Sequence, residues 1–432
     1  MGQALRSFSA DLGEGTNGMA DAASGAPAST KALGRNVPVL SLSFFAVTLG
    51  NSLWLSLLPI DLDSLRFNAF LIGLTLTSYT GATSLVYLPS GRLSDIVGRR
   101  APLLGGCLTV TVGTFLLHLA QTPELMIPLL LVVGVGQGLM GPSATALVAE
   151  SVTPAKSGFA FSVYLIASTS ASMVGSASSG VLAGLISYRN LFLIAGLLGL
   201  SSLTALYLLV QEPSGRREGS LGSAVHKSLA GSVSGTVSLL RAQRDLLYLA
   251  VALSFHSFGL AMINPYVTLF AKDAVRMSIA EAGFMLSLQS LGLLLAQVPF
   301  GQMTDRFGAR AMLLAHFVLS SLSWSFYALS SSALVAYVTV LFFGIIGAMD
   351  MPARRTLMVE YSSAEVGKAT VIGSLDAIIG IAGIAAPIIG GLTWSSLGYT
   401  APFYVAATLN IGASIPLVML LMRRKPKPEG LA

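Results

Sequence analysis

Ionisable side chains are few inside the long apolar stretches of this sequence, and three of them lie in its second half. Asp350 and Arg354 stand four residues apart, so on a helix they share one face and can form an ion pair. Asp376 lies in the next apolar stretch, on the helical face of Gly380 and Gly383. A charge within a bilayer is costly, so all three are candidates for binding a proton or a substrate. Equally, they could form static charge pairs where the helices reach the membrane surface.

Neutral polar side chains in the apolar stretches are further candidates, because each can form a hydrogen bond with a substrate. They are Asn51, Trp54, Gln137, Tyr164, His256, Asn264, Tyr266 and Gln289. The alternative for each is a hydrogen bond to a neighbouring helix, which is common in membrane proteins. His256 can change its charge near neutral pH, although a single histidine more often serves packing.

A short motif rich in glycine and charge occurs twice, and the two copies are 210 residues apart. The first copy runs from Gly91 to Arg100 and the second from Gly301 to Arg310. The positions of interest are Gly91, Asp95, Gly98, Arg99, Arg100 and Glu150 in the first half and Gly301, Asp305, Gly308, Arg310 and Glu360 in the second. A long and fixed spacing predicts two homologous halves, with a binding site between them.

The composition is that of a membrane protein. The chain of 432 residues is 53% hydrophobic and 10% charged, whereas soluble domains carry about 25% charged residues. Its mean hydropathy is +0.76. The net charge of +6 does not indicate a nucleic-acid partner, because the basic residues are spread over short loops. Cys107 is the only cysteine, which excludes an intramolecular disulfide and a cysteine metal cluster.

Twelve apolar stretches are long enough to cross a bilayer as helices. They are about 37–60, 68–90, 101–120, 126–149, 159–186, 190–211, 246–270, 279–300, 311–330, 334–357, 369–393 and 400–422. We therefore predict an all-α membrane protein with twelve transmembrane helices in two pseudo-symmetric six-helix bundles. The bundles are 37–211 and 246–422, joined by a central cytoplasmic loop at 212–245 and flanked by a disordered tail at 1–36 and a second tail at 423–432.

The basic residues predict the orientation of the chain. All but four of the 25 Lys and Arg residues fall on one side of the predicted spans. The exceptions are Arg66, Arg189, Lys272 and Arg276. Since Lys and Arg favour cytoplasmic loops, both termini are expected in the cytoplasm, with the chain in the cell membrane.

The stretch from Gly91 to Arg100 resembles the loop 2–3 motif of the major facilitator superfamily, G-x-L-[AS]-D-[RK]-x-G-R-[RK]. It departs only at Ile96, where a base is usual. The resemblance implies two six-helix bundles around a central cavity, with spans 3, 6, 9 and 12 facing lipid. His118 and His316, on spans 3 and 9, are therefore not candidates.

The resemblance also implies that the motif latches the cytoplasmic side. Gly91 and Gly98 would allow a tight turn, and Asp95 would lie near the N-terminus of a helix in the other bundle. Arg99 and Arg100 would pair with Glu150. Asp305, Arg310 and Glu360 would mirror this arrangement.

Within the family the chain looks most like the twelve-span drug exporters. The resemblance implies a secondary transporter that works by alternating access. We predict that it exports a small amphipathic or lipophilic compound against protons, and that Asp350 or Asp376, as carboxylates within the apolar spans, exchanges the proton. However, Gly134 replaces the arginine usual before Gln137-Gly138, which leaves open uniport or symport-driven uptake of a polar metabolite. A ligand sensor without flux is a further alternative.

No enzyme activity, cofactor or metal is expected. The expected partners are a small-molecule substrate, protons and the lipid bilayer. The chain is expected to be a monomer.

Overall fold

The computed structural model describes residues 34, 36–152, 157–212, 244–361 and 368–422. All regular secondary structure in these ranges is helical, and twelve helices are long and apolar enough to cross a membrane. The predicted fold class is confirmed. The predicted tails and most of the central loop lie outside the described residues.

Most spans extend beyond the apolar stretches from which they were predicted, whereas the third, sixth and ninth end two or three residues earlier. In the first half they are Asn36–Leu55 with Leu58–Ser64, Ala69–Val97, Arg100–Leu117, Pro123–Glu150, Ser157–Ile186 and Arg189–Leu209. In the second half they are Arg244–Asp273, Ile279–Phe307, Ala309–Ala328, Ala333–Gly347 with Asp350–Glu360, Lys368–Ala382 with Ala386–Leu397, and Ala401–Met422. We number them spans 1 to 12.

The repeat of 210 residues extends to the backbone. Spans 2 and 8 begin at equivalent capping residues: the Asn68 side chain accepts a hydrogen bond from Leu71 N at 2.9 Å, and the Ser278 hydroxyl accepts one from Glu281 N at 3.3 Å. Two residues before each cap, Arg66 and Arg276 have φ angles of 65° and 66°. Both halves therefore enter their second helix by the same turn.

The motif turn lies at the second glycine of each copy and not at the first. Spans 2 and 8 continue as helices through Gly91 and Gly301, and end at Val97 and Phe307. The chain turns at Gly98, with a φ of 97°, and at Gly308, with a φ of 88°. Only glycine adopts such φ angles without strain, which explains the glycine at the turn. The prediction that Gly91 is also part of a tight turn was wrong, because Gly91 lies within the helix of span 2.

The two halves meet where span 2 packs on span 11 and span 5 on span 8. We call the end of the molecule with Gly98 and Gly308 the motif side, and the other end the far side. Near the far side, a Cβ atom added to Gly73 would lie 2.7 Å from Tyr266 Oη, and one added to Gly180 would lie 2.5 Å from Ala280 Cα. Small residues thus let the halves approach to backbone contact.

Polar contacts also join the halves near the far side. Lys272 Nζ of span 7 pairs with Asp63 Oδ2 of span 1. Tyr266 Oη lies 3.0 Å from Ala69 O in span 2 and 2.8 Å from Pro387 O in span 11. In contrast, the Asp95–Arg99, Glu150–Arg99 and Glu360–Arg310 pairs of the motif side each stay within one half.

Candidate functional site

A cavity of about 530 Å³ lies between the two halves. Spans 1, 2 and 5 contribute small and aromatic residues to its wall, among them Ser56, Tyr79 and Ser172. The second half contributes the more polar groups, including Asn264 and Gln289. A cleft of this size is typical of sites that bind small organic molecules.

Of the residues suggested by the sequence, the cavity is lined by His256, Asn264, Gln289 and Asp350. Those that the structure places elsewhere are Asn51, Trp54, Gln137, Tyr164, Tyr266, Arg354 and Asp376. Trp54 is fully buried against Phe192, with ring centroids 5.5 Å apart. Tyr164 packs on Phe44 at 5.1 Å. These two aromatic side chains belong to the packed interior of the first half.

The acidic residues of spans 10 and 11 form two separate ion pairs. Asp350 Oδ2 lies 3.0 Å from Arg354 Nη2, which is the pair that their spacing suggested. Asp376 Oδ2 lies 2.8 Å from Arg355 Nη1. Tyr87 of span 2 interacts electrostatically with both members of the second pair, so this pair lies where span 2 of the other half approaches.

His316 faces the cavity, so its exclusion on the ground that span 9 faces lipid was wrong. It is only 2% exposed, lines the cavity, and its Nε2 lies 3.2 Å from His256 Nε2. His256 is therefore not a solitary histidine. The face of span 9 that carries His316 is turned towards the cavity. The apolar pattern of span 9 does not indicate which face points inward.

Two far-side carboxylates were also missed, because the predicted first span ended before them. Asp61 Oδ2 lies 3.7 Å from Arg189 Nη2 within the first half. Asp63 makes the pair with Lys272 described above. Both belong to the short second helix of span 1, Leu58–Ser64.

The motif charges form compact networks within each half. Arg99 lies 2.7 Å from Glu150 Oε1 and 2.5 Å from Asp95 Oδ1. In the second half, Arg310 Nη2 lies 3.2 Å from Glu360 Oε1, while Asp305 is exposed. Burial acts to lower the pKa of the Arg99 guanidinium, but the hydrogen bonds that it donates to Glu150 and the charge of Asp95 outweigh burial and raise the pKa above its ordinary value.

One expectation about the motif stays a prediction and another differs from what the structure shows. Asp95 forms an ion pair with Arg99 of its own loop. Its expected position near the N-terminus of a helix in the other bundle stays a prediction, because residues 362–367, before span 11, lie outside the described part of the chain. Arg100 does not pair with Glu150; its side chain donates to Tyr207 O. Its backbone N–H donates to Glu212 Oε2 at 2.7 Å, and that of Arg99 to Glu212 Oε1 at 2.6 Å. Glu212 thus stabilises the start of span 3, a role that sequence reasoning missed.

Two repeats of six spans around one shared cavity define a membrane transporter whose site lies between its halves. The chain belongs to the Major Facilitator Superfamily, whose family model matches residues 40–273 and 249–432. It is therefore a multi-pass membrane protein and not an enzyme.

Individual relatives are distant but similar over most of their length. The chain is 25% identical to Multidrug resistance protein MdtG of Proteus mirabilis (strain HI4320), over 87% of this chain and 93% of the relative. It is 24% identical to Multidrug resistance protein 1 of Bacillus subtilis (strain 168), over 88% and 95%. The human organic anion transporter MFSD10 (TETRAN) has the same fold, with a TM-score of 0.68 and 19% identity over 89% of this chain and 99% of that chain.

Proposed function

We propose that this transporter exports small amphipathic organic compounds from the cytoplasm in exchange for protons. The observation that carries the proposal is the cavity of about 530 Å³ between the halves, whose wall combines apolar side chains with hydroxyl and amide groups. Such a wall suits cargo that is largely apolar and carries a few polar atoms. The two relatives named as multidrug resistance proteins support the same reading.

The positions of the inter-half contacts are compatible with a cytoplasm-facing state, which an exporter must adopt to take up its cargo. The distribution of Lys and Arg favours a cytoplasmic location for the motif side, and the contacts described between the halves are closest at the far side. In that orientation the structure corresponds to a state that accepts substrate from the cytoplasm. Opening the far side would require spans 2 and 5 to separate from spans 11 and 8.

Asp376 is the carboxylate that we assign to proton coupling. It lies at the boundary between the halves, facing Arg355 of span 10 and Tyr87 of span 2. Protonation of Asp376 would remove the charge that holds Arg355, and so would change the contact between span 11 and span 2. A carboxylate whose partner lies at a moving interface can link proton binding to the movement of the halves.

Asp376→Asn tests this assignment. In proteoliposomes with an imposed pH gradient, we expect the wild type to move a fluorescent lipophilic cation in a gradient-dependent manner. We expect Asp376→Asn to bind the cation but to lose the dependence on the gradient, because the amide cannot take up a proton. The matched control is Glu124→Gln, which removes an exposed carboxylate at the start of span 4.

The result can contradict the proposal in three ways. Gradient dependence that persists in Asp376→Asn would place proton coupling at another group. Wild-type flux that is independent of the gradient would indicate facilitated diffusion. Binding without flux, over a panel of cationic, neutral and anionic compounds, would indicate a ligand sensor.

A further inference from the structure

Two buried histidines and a carboxylate meet at one point of the cavity wall. They are His256 of span 7, His316 of span 9 and Asp350 of span 10, and all three line the cavity. The histidine side chains are 5% and 2% exposed. One nitrogen from each ring and one carboxylate oxygen lie within 4.8 Å of one another. This cluster is absent from the sequence-based predictions, which included no metal site.

The hydrogen bonds around the rings fix which nitrogen of each histidine carries a proton. Asn410 Nδ2 donates to Phe317 O at 2.8 Å, so Asn410 Oδ1 is the atom that faces His256 Nδ1, also at 2.8 Å. His316 Nδ1 lies 3.0 Å from Ile346 O and 3.4 Å from Ser320 Oγ. The hydroxyl can donate or accept, but the nearer carbonyl of Ile346 and the Asn410 amide oxygen can only accept, so we assign the proton of each ring to Nδ1.

The two unprotonated nitrogens therefore face one another. Both Nε2 atoms carry lone pairs, and they are 3.2 Å apart. Two lone pairs at this distance repel, so the arrangement is favourable only with a cation between them. Two ligands of a tetrahedral zinc ion, each at about 2.0–2.1 Å from the metal, are roughly 3.3–3.4 Å apart. The observed separation is close to that of two metal ligands.

The surroundings of the rings resemble those of metal ligands. A ligating histidine usually donates its second ring N–H to a carbonyl or carboxylate oxygen, as His256 and His316 do. Asp350 Oδ2 is held by Arg354 at 3.0 Å, while Asp350 Oδ1 is buried and has no hydrogen-bond partner among the described residues. That oxygen is available as a third ligand after rotation of the carboxylate.

The fold does not require this cluster. In the first half, the positions 210 residues earlier are Ala46, Gly106, Met140 and Leu200, which stand where the second half has His256, His316, Asp350 and Asn410. There the backbone at Gly106 packs directly on Met140, since an added Cβ would lie 3.0 Å from Met140 Cβ. The same helix arrangement thus forms with apolar residues, and the polar cluster of the second half serves something other than packing.

We propose that His256, His316 and Asp350 form a binding site for one transition-metal dication of the Zn²⁺ class on the wall of the cavity. Two neutral imidazoles and one carboxylate suit such an ion, and the cavity leaves a fourth position open to water or a chelating molecule. The proposal is independent of proton-coupled export, because its test measures metal binding and not flux.

Cobalt absorption tests the site directly. Purified full-length protein in detergent, with any histidine tag removed, is titrated with Co²⁺ and then with Zn²⁺. We expect the visible bands of a tetrahedral Co²⁺ site, saturation at one ion per chain, and stoichiometric displacement by Zn²⁺. His316→Gln and Asp350→Asn should lose the bands, and Asn410→Ala should weaken binding by about 10–100-fold because it frees the ring of His256.

His118→Gln is the matched control. His118 Nδ1 also lies near a backbone carbonyl, Arg189 O at 3.0 Å, but the residue directly follows span 3 and does not line the cavity. The variant should bind Co²⁺ like the wild type. The proposal is overturned if the wild type shows no saturable Co²⁺ bands, which is the result expected if the two rings share a proton instead of a metal ion. It is also overturned if His316→Gln and His118→Gln bind Co²⁺ equally well. Asp350→Asn nearly preserves side-chain volume, so loss of binding in a monodisperse Asp350→Asn sample cannot be attributed to unfolding.

Discussion

Replacing Gly73 by valine should reduce transport to a few per cent of the wild-type rate while the protein remains folded. In the described state, a Cβ at this position would lie 2.7 Å from Tyr266 Oη and 2.8 Å from the carbonyl carbon of Pro387. Both contacts are with the other half. Overpacking of this kind costs about 1–3 kcal/mol, or roughly 5–150-fold in an equilibrium between two states. The strain disappears when the halves separate at the far side, so the valine favours that state.

Two measurements check this prediction. Flux in proteoliposomes should fall, and a cysteine placed at Ser290 in the cavity should become more reactive with an impermeant maleimide added from the far side. The native Cys107 is buried and should remain unlabelled. Gly105→Val is the control, because Gly105 has no atom within 4 Å of an added Cβ. Unchanged labelling in Gly73→Val would show that the far-side contact does not determine the state.

Gly344→Ala should have the largest effect on stability. Its added Cβ would lie 2.8 Å from the carbonyl carbon of Gln289 and 3.0 Å from Gln289 Cα. Unlike Gly73, Gly344 contacts a span of its own half, so rearrangement of the halves cannot relieve the clash. We expect unfolding to be easier by about 1–3 kcal/mol or more. A thermal melt in detergent, followed with a thiol-reactive dye that reports exposure of Cys107, measures the shift.

Gly347→Ala provides the comparison for this variant. Gly347 follows Gly344 by three residues, and an added Cβ there meets no atom within 4 Å. Gly347 is also the last residue of the helix Ala333–Gly347, so alanine there adds no close contact and interrupts no helix, and this variant should melt near the wild-type temperature. Equal melting temperatures for the two variants would contradict the close contact between spans 8 and 10.

The sequence predicted the symmetry of the fold because the repeat constrains the backbone as well as the side chains. The caps at Asn68 and Ser278 and the turns at Gly98 and Gly308 recur at the spacing of 210 residues that the motifs revealed. Apolar length gave the spans, since a bilayer leaves few other ways to bury such stretches. Span ends were less accurate because the polar motif residues remain helical.

The cavity wall was harder to predict, because it depends on the rotation of each helix about its axis. Trp54 and Tyr164 lie on cavity-side spans but point into the packed first half. Conversely, His316 belongs to a peripheral span and reaches the cavity. In a span that is apolar all round, no polar face reveals the rotation. The ion pair of Asp376 with Arg355 could not be predicted either. The two residues lie on different spans, so no i,i+4 spacing in the sequence links them.

The far-side contact between Gly73 and the Tyr266–Pro387 region has a consequence for the environment in which the protein works. This closure is made by uncharged backbone and side-chain atoms, and the ion pair described above that joins the halves there, Asp63 with Lys272, is about one-third exposed. Ions in the medium screen exposed charges but leave close apolar contacts largely intact. We therefore expect this far-side contact to depend only weakly on ionic strength, whether the cell lives in fresh water or in brine.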